Sequence, residues 1–283
     1  MLQVARLAPS LLHDSTDLIA QYIQSTQSDD GGFGDRSGNS DLYYTVFGLG
    51  CLRALQLDVS AERVRPFLEQ YGCGESLDFV HLSCLARCWA EIGSIADGAI
   101  IDRLATHRTA DGGFSQTMGE ETGSVYAAFL ALGAYQDLNC ELPDAQHLAK
   151  AIESLRTDDG GYANDANLPM GSVPATAAAV SLLHHLEQPI DRSIGDWLLE
   201  RCGEDGGFFA HPLAPIPDLL STATALHALV TMHMDIEPIK EACLDFLDTL
   251  WSSKGGFCGS WTDETVDCEY TWYALLALGH LSL

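Results

Sequence analysis

Near the C-terminal end of this chain two carboxylates stand two residues apart, in Asp267-Cys268-Glu269-Tyr270, directly before a long apolar stretch. Such a pair at a helix start can share one proton and raise the pKa of one member, which makes an acid that is still protonated near neutral pH. The same two residues can also do no more than favour the helix start, because negative charge is welcome at its N-terminal dipole. Aromatic side chains gather nearby and close to the other end of the chain: Trp261, Tyr270, Trp272 and Tyr273, then Tyr43, Tyr44 and Phe47. Ring faces bury apolar chains and attract cations. The plainer alternative is that about half of these rings are core, and Tyr43 and Tyr44 cannot both face one way from a helix. His81, Cys84 and Cys88 recur at i, i+3 and i+7 on one helical face, which suits either a thiolate-containing metal site or ordinary core.

These residues must be positioned by helices, and a repeat shows where the helices are. Ser28–Asp35, Thr109–Gln116, Thr157–Asn164, Gly203–Ala210 and Ser252–Gly259 each hold a Gly-Gly-aromatic centre, with the first glycine at 31, 112, 160, 206 and 255. The first interval is nearly twice the others, and Tyr71-Gly72-Cys73-Gly74 at its midpoint reads as a degenerate copy, which makes six units. The glycine pair is expected to end a helix in the left-handed conformation that glycine adopts most cheaply. The aromatic after it (Phe33, Phe114, Tyr162, Phe208, Phe257) is expected to pin the following loop. A helix apolar nearly all round comes next, as in Ser124–Gln136, and then an amphipathic one with acidic residues outward, as in Ala145–Leu155.

The pattern predicts twelve helices, near 14–27, 41–56, 61–71, 78–92, 97–107, 123–137, 144–156, 172–187, 191–202, 218–233, 237–251 and 266–281. No strand-like alternation competes with them. Buried helices alternating with amphipathic ones imply two concentric layers. The last stretch, Thr271–Leu283, is too apolar to be the solvent-facing end of an open array, so the last inner helix is expected beside the first. The chain reads as all-α, a single domain over 1–283.

Composition narrows the function. Asp and Glu number 40 against 14 Lys and Arg, a net charge of −26, which repels nucleic-acid phosphates and anionic headgroups. It leaves room for a basic protein partner. With 47% hydrophobic residues the chain is too apolar for disorder. No apolar run approaches the ~20 residues of a membrane span, and Met1–Pro9 does not read as a signal peptide. The 9 cysteines, without a Cys-x-x-Cys pair, read as free thiols in a reducing compartment, with the cytoplasm as the default.

The Gly-Gly-aromatic repeat followed by a buried helix resembles the repeat of protein prenyltransferase β subunits and of squalene and terpene cyclases, over essentially the whole chain. Gly31–Leu49 is similar to a repeat of the Rab geranylgeranyl transferase β subunit. The resemblance implies an α/α toroid of six helical hairpins, whose inner helices surround an apolar cavity and begin at one rim. It also implies an isoprenoid ligand there, either a prenyl diphosphate or a terpenoid. Tyr43, Tyr44, Phe47, Trp272 and Tyr126 are then candidate substrate contacts, with His81 and Asp218 on the same rim.

The transferases of this family hold a zinc through an Asp, a Cys two residues later and a His in the next repeat. At the matching place Asp218 is present, but Leu220 and Tyr270 stand at the Cys and His positions. In another register Asp41 and His81 occupy the Asp and His positions and Tyr43 that of the Cys, which makes Asp41 and His81 the candidate zinc ligands. The family's diphosphate-binding Arg corresponds to His211, and Arg36 is the remaining candidate cation. Its alternative is a loop charge paired with Asp35 or Asp41. The cyclases use an Asp-x-Asp-Asp acid to protonate an alkene, and only Asp267-Cys268-Glu269-Tyr270 places an acid at the central position. Asp267, Glu269, Tyr270 and Asp218 are thus the candidate catalytic residues. The leading expectation is a prenyltransferase-like enzyme that handles an isoprenoid, with the family's zinc and diphosphate residues largely missing; the alternatives are acid-initiated cyclisation through Asp267 or Glu269, and non-catalytic binding or scaffolding.

Overall fold

A computed structural model describes residues 1–94 and 98–283 of the protein. In chain order the elements are α1 (Leu2–Ala5), α2 (Pro9–Leu12), α3 (Ser15–Ser25), β1 (Phe33–Gly34), β2 (Ser40–Asp41), α4 (Leu42–Ala54), α5 (Ala61–Glu69), α6 (Phe79–Glu91), α7 (Gly98–Ala105), α8 (Val125–Asp137), α9 (Ala145–Glu153), α10 (Val173–His185), α11 (Ser193–Leu199), α12 (Leu219–Thr231), α13 (Lys240–Thr249), β3 (Trp251–Ser252), β4 (Gly256–Ser260), β5 (Asp263–Val266) and α14 (Cys268–Leu281). Each of the twelve expected helices has its counterpart, shortened at one or both ends. The one expected at 97–107 is α7, and its first expected residue, Asp97, lies outside the described residues.

The chain forms two compact units, Met1–Val59 with Gly195–Leu283, and Ser60–Ile194, divided within α11. In the first unit α14 packs against both α12 and α4, and α1 lies on α14 and α4, so the last inner helix does sit beside the first. In the second unit α8 packs between α6 and α10, with α5 and α7 on α6 and α9 on α10. Inner helices bury residues on nearly every side; α14 alone buries Leu275, Leu276, Ala277 and Leu281. Each such leucine removed from water stabilises the fold by roughly 1.5–3 kcal/mol. Small residues set how closely the helices approach. At Gly50 an added Cβ would stand 3.2 Å from the ring of Trp272.

One local device opens every inner helix. Asp41, Asp78, Ser124, Ser172, Asp218 and Asp267 are N-caps whose side chains accept the backbone N–H three residues on. In four repeats a threonine in the first turn (Thr45, Thr176, Thr222, Thr271) donates its hydroxyl to the N-cap carbonyl or accepts the N–H of the buried repeat aromatic. The aromatics Phe33, Phe114, Tyr162, Phe208 and Phe257 are buried and pin their loops as expected.

Three expectations are corrected. The repeat glycines do not end helices. α9 stops at Glu153, and Gly160 follows within a tight turn in which the Asp159 carboxylate accepts the Gly161 N–H. The first glycine of each pair has φ between 83° and 97°. At Gly206 an added Cβ would also collide with the backbone of Ala242 in α13, so glycine is required there twice over. Second, strands are present. β1 pairs with β2, and β3, β4 and β5 form an antiparallel sheet in the loop before α14. These strands of two to five residues are too short for an alternation to register in sequence. Third, α1 and α2 precede the first expected helix; four residues each, they fall below the length at which periodicity is visible.

Candidate functional site

The acid pair expected at the start of α14 lies within the first unit. Asp267 caps the helix, its Oδ1 accepting the Tyr270 N–H at 2.8 Å, and is only 4% exposed. Its Oδ2 accepts the Nε–H of Arg36 at 2.8 Å, and the same guanidinium donates through Nη1 to Asp263 Oδ2 at 2.8 Å. Arg36 lies 5.4 Å over the ring of Tyr270 and interacts with the Tyr44 hydroxyl. The alternative pairing of Arg36 with Asp35 or Asp41 is therefore overturned. Asp35 accepts backbone N–H groups of its own turn and Asp41 caps α4, while β5 brings Asp263 to Arg36.

Glu269, one turn position further, accepts the Tyr43 hydroxyl at Oε1 at 2.6 Å. Burial raises the Glu269 pKa from its ordinary value and the neighbouring Asp267 charge adds to this, while the Tyr43 hydrogen bond opposes it. Burial also raises Asp267, opposed by the Tyr270 N–H and by Arg36. Around Glu269 the rings run in a chain: Tyr43 to Tyr44 at 5.8 Å, Tyr43 to Phe47 at 4.9 Å, and Phe47 to Tyr273 at 5.7 Å. Tyr43 and Phe47 are four apart on α4, and Glu269 and Tyr273 four apart on α14, so two adjacent helices present one face. All four side chains are half-buried, not sealed in core. Tyr44, though next to Tyr43, reaches the same cluster through Arg36.

Other expected site residues have different placements. Trp272 is buried against Gly50 between α14 and α4, a packing position. Trp261 packs edge-on against Phe246 and donates its Nε1–H to Thr249, away from the acid pair. Asp218 caps α12, takes both the N–H and the hydroxyl of Ser221, and is raised by burial; His211 lies close enough for its charge to act on Asp218. His211 Nδ1 accepts the Leu213 N–H. Tyr126, in the second unit, opens α8, with its N–H on Asn164.

The residues present do not fit the zinc centre that the resemblance suggested. Asp41 serves as the cap of α4, and the His81 ring is held by Asp78 at 2.8 Å. Among the described residues no group of three or more His, Cys, Asp or Glu is placed to hold a metal ion. No described helix is long and apolar enough to cross a membrane. Sequence reasoning missed Asp263. It sits in a short strand of a loop, and no spacing signal connects it to Arg36, 227 residues away.

Helical hairpins with buried inner helices recur along the chain, and an acid pair stands at the start of the last inner helix. A sequence profile of the prenyltransferase alpha-alpha toroid domain matches residues 6–73, 76–208 and 173–282, and the chain belongs to that family. No curated protein matches it by sequence search. Among solved structures it is similar to a variant of the type II terpene cyclase MstE from Scytonema in complex with its substrate geranylgeranyl dihydroxybenzoate (13% identity, TM-score 0.66, 97% of each chain covered). It is also similar to a protein from Actinoplanes (17%, TM-score 0.67, 95% of this chain and 99% of that one). A third is the protein geranylgeranyltransferase-I of Candida albicans with GGPP (16%, TM-score 0.53, 97% and 80%). At these identities the likeness concerns the fold.

Proposed function

We propose that this protein binds an open-chain isoprenoid and cyclises it by protonating one of its double bonds, with Glu269 as the acid. The observation that carries the reading is the Tyr43–Glu269 contact at 2.6 Å, set in a half-buried aromatic face. Family membership and the isoprenoid ligands of MstE and of the Candida enzyme support the substrate class. The acid chemistry is favoured over prenyl transfer by two features. Leu220 and Tyr270 stand at the family's Cys and His ligand positions, and Arg36 is already committed to two carboxylates.

An alkene is a weak base, so the donor must hold its proton in a dry place and its conjugate base must be stabilised. Burial raises the Glu269 pKa and so favours its protonated form. As the proton leaves, the alkene electron pair forms the new C–H bond, and the Tyr43 hydroxyl stabilises the carboxylate left behind. The resulting cation is stabilised by the faces of Tyr43, Phe47 and Tyr273 while the next double bond closes the ring. Loss of a proton from a carbon beside the cation forms the product double bond and, directly or through water, restores the Glu269 carboxyl, which completes an isomerisation with no change of mass.

The test is incubation of the purified protein with farnesyl- and geranylgeranyl-length alcohols and aryl ethers, with products followed by mass spectrometry. Cyclic isomers from the wild type, absent with Glu269→Gln, are expected. Full turnover by Glu269→Gln would overturn the reading, and isoprenoid binding without turnover by the wild type would establish a binding protein instead.

A further inference from the structure

Arg36 reaches the acid pair from the loop between β1 and β2, 231 residues away in sequence, and it hydrogen-bonds only one member of the pair. Both oxygens of Asp267 accept from donors, Oδ1 from the Tyr270 N–H and Oδ2 from the guanidinium. A proton on Asp267 would displace one of these bonds. Glu269 instead accepts from a neutral hydroxyl, so protonating it sacrifices no ion pair. The second arm of Arg36 is held by Asp263 at 2.8 Å, which fixes the fork in place although the arginine side chain is 37% exposed.

Resting on the proposed cyclase function, we propose that Arg36 is a positioning residue that holds Asp267 ionised and so leaves the proton of the pair on Glu269. Its chemistry is that of a fixed cation aimed at one of two competing carboxyls, not that of a substrate anchor. The charge on Asp267 then acts on Glu269 in turn and opposes its ionisation, and this outweighs the direct pull of the Arg36 cation toward the ionised form.

The surroundings keep this assignment clean. The groups facing the pair are Tyr43 and Tyr44 from α4, Cys51 further along it, Tyr22 from α3, Asp263 from β5, and Cys268 and Tyr270 from α14 itself, with Asp218 near Tyr270. Burial pushes Tyr22, Tyr270 and Cys51 upward, and Tyr44 and Cys268 up to about 12, so these stay neutral through the acid range. Asp263 is lowered by the Thr265 N–H and by Arg36, so it takes its proton at a lower pH than an ordinary Asp. The titrating groups of that neighbourhood are therefore carboxyls: Asp267, Glu269, Asp263 at lower pH and, through Tyr270, Asp218.

The test follows the side-chain carboxyl carbons of Asp267 and Glu269 by NMR as the pH is lowered, in the wild type, Arg36→Gln and Arg36→Lys, without substrate. In the wild type Glu269 is expected to take its proton before Asp267. In Arg36→Gln the order reverses, and in Arg36→Lys, which keeps the charge, it is retained. An unchanged order in Arg36→Gln overturns the proposal. Should that variant not fold, the wild type decides, because Asp267 taking the first proton there also overturns it. Isoprenoid turnover read in parallel separates the two ideas. In an active enzyme Arg36→Gln lowers kcat at neutral pH ~10-fold or more, since one pKa unit of misassignment is tenfold. A wild type that turns over nothing, but shows the expected titration order and its reversal, sinks the cyclase reading and leaves the role of Arg36 intact.

Discussion

The first turns of α10 and α14 share their backbone chemistry. Ser172 and Asp267 each cap their helix by accepting an N–H three residues on, and Thr176 and Thr271 each accept the N–H of a buried aromatic. What differs is what stands between cap and threonine. On α10 the sequence is Val173-Pro174-Ala175, where proline occupies an early helical position that needs no N–H. On α14 it is Cys268-Glu269-Tyr270, with a carboxyl aimed at Tyr43 and an arginine drawn in from a distant hairpin. The capping device belongs to the fold and recurs in all six hairpins. The Glu269 carboxyl, its hydroxyl partner and the arginine paired with Asp267 are additions laid over one copy of it.

The largest expected effect separates the two turns by activity. Glu269→Gln should lower turnover of an isoprenoid by about 10²–10⁴-fold, the usual worth of a positioned acid. Pro174→Ala, at the matching position of α10, should leave the rate unchanged in the same assay. The next contrast is in stability. Ser172→Ala removes a cap and should cost about 1 kcal/mol in urea unfolding. Asp267→Ala should cost more, because Arg36 also loses a partner it meets at 2.8 Å.

pH sharpens the contrast. Glu269 has a raised pKa in the fold, so the folded state holds its proton more tightly than the unfolded chain. Its contribution to stability is present at low pH and is lost as pH rises from the ordinary Glu value through the raised one. Glu269→Gln should therefore raise Tm relative to the wild type at neutral pH, with the gain fading below pH ~4. His280 runs the other way. It is 2% exposed, and burial lowers its pKa to about 4. Its contribution is present above the ordinary His value and is lost as pH falls through that window, up to about 3 kcal/mol. His280→Phe should flatten the acid limb of the stability curve between those two values.

The smallest effect concerns the other ends of the inner helices. α6 is followed by Gly93 in the left-handed conformation, but α8 and α10 place Asn139 and Glu187 there, both at φ 54°. A side chain is strained in that conformation, so Glu187→Gly should stabilise the protein by about 0.5–1 kcal/mol, and Asn139→Gly by less. An unchanged Tm in both would mean that the two side chains make compensating contacts that glycine lacks.

Much of the fold is legible in the amino-acid sequence. A glycine pair with its aromatic, recurring along the chain, marks the hairpins, and runs apolar on all sides mark which helix of each pair is inner. These signals are local, and burial requires them wherever such a helix sits. The helix ends are less legible. Glu187 carries no visible sign of a left-handed turn, and the repeat glycines look like helix ends although they serve turns several residues later. The site is legible as a set of residue types and not as an arrangement. Asp267, Glu269, Tyr43, Phe47 and Arg36 can each be picked out by type, yet Trp272, equally aromatic, is a packing residue.

Sequence by itself determined the helical hairpins, their layering and their N-caps, because each depends on residues within a few positions of one another. Only the tertiary structure decided that Tyr43 meets Glu269, and that Arg36 bridges Asp263 and Asp267. Those partners lie 226 to 231 residues apart. Their meeting depends on α14 packing beside α4, and the position of one helix against another is set by the whole buried surface and not by any local pattern.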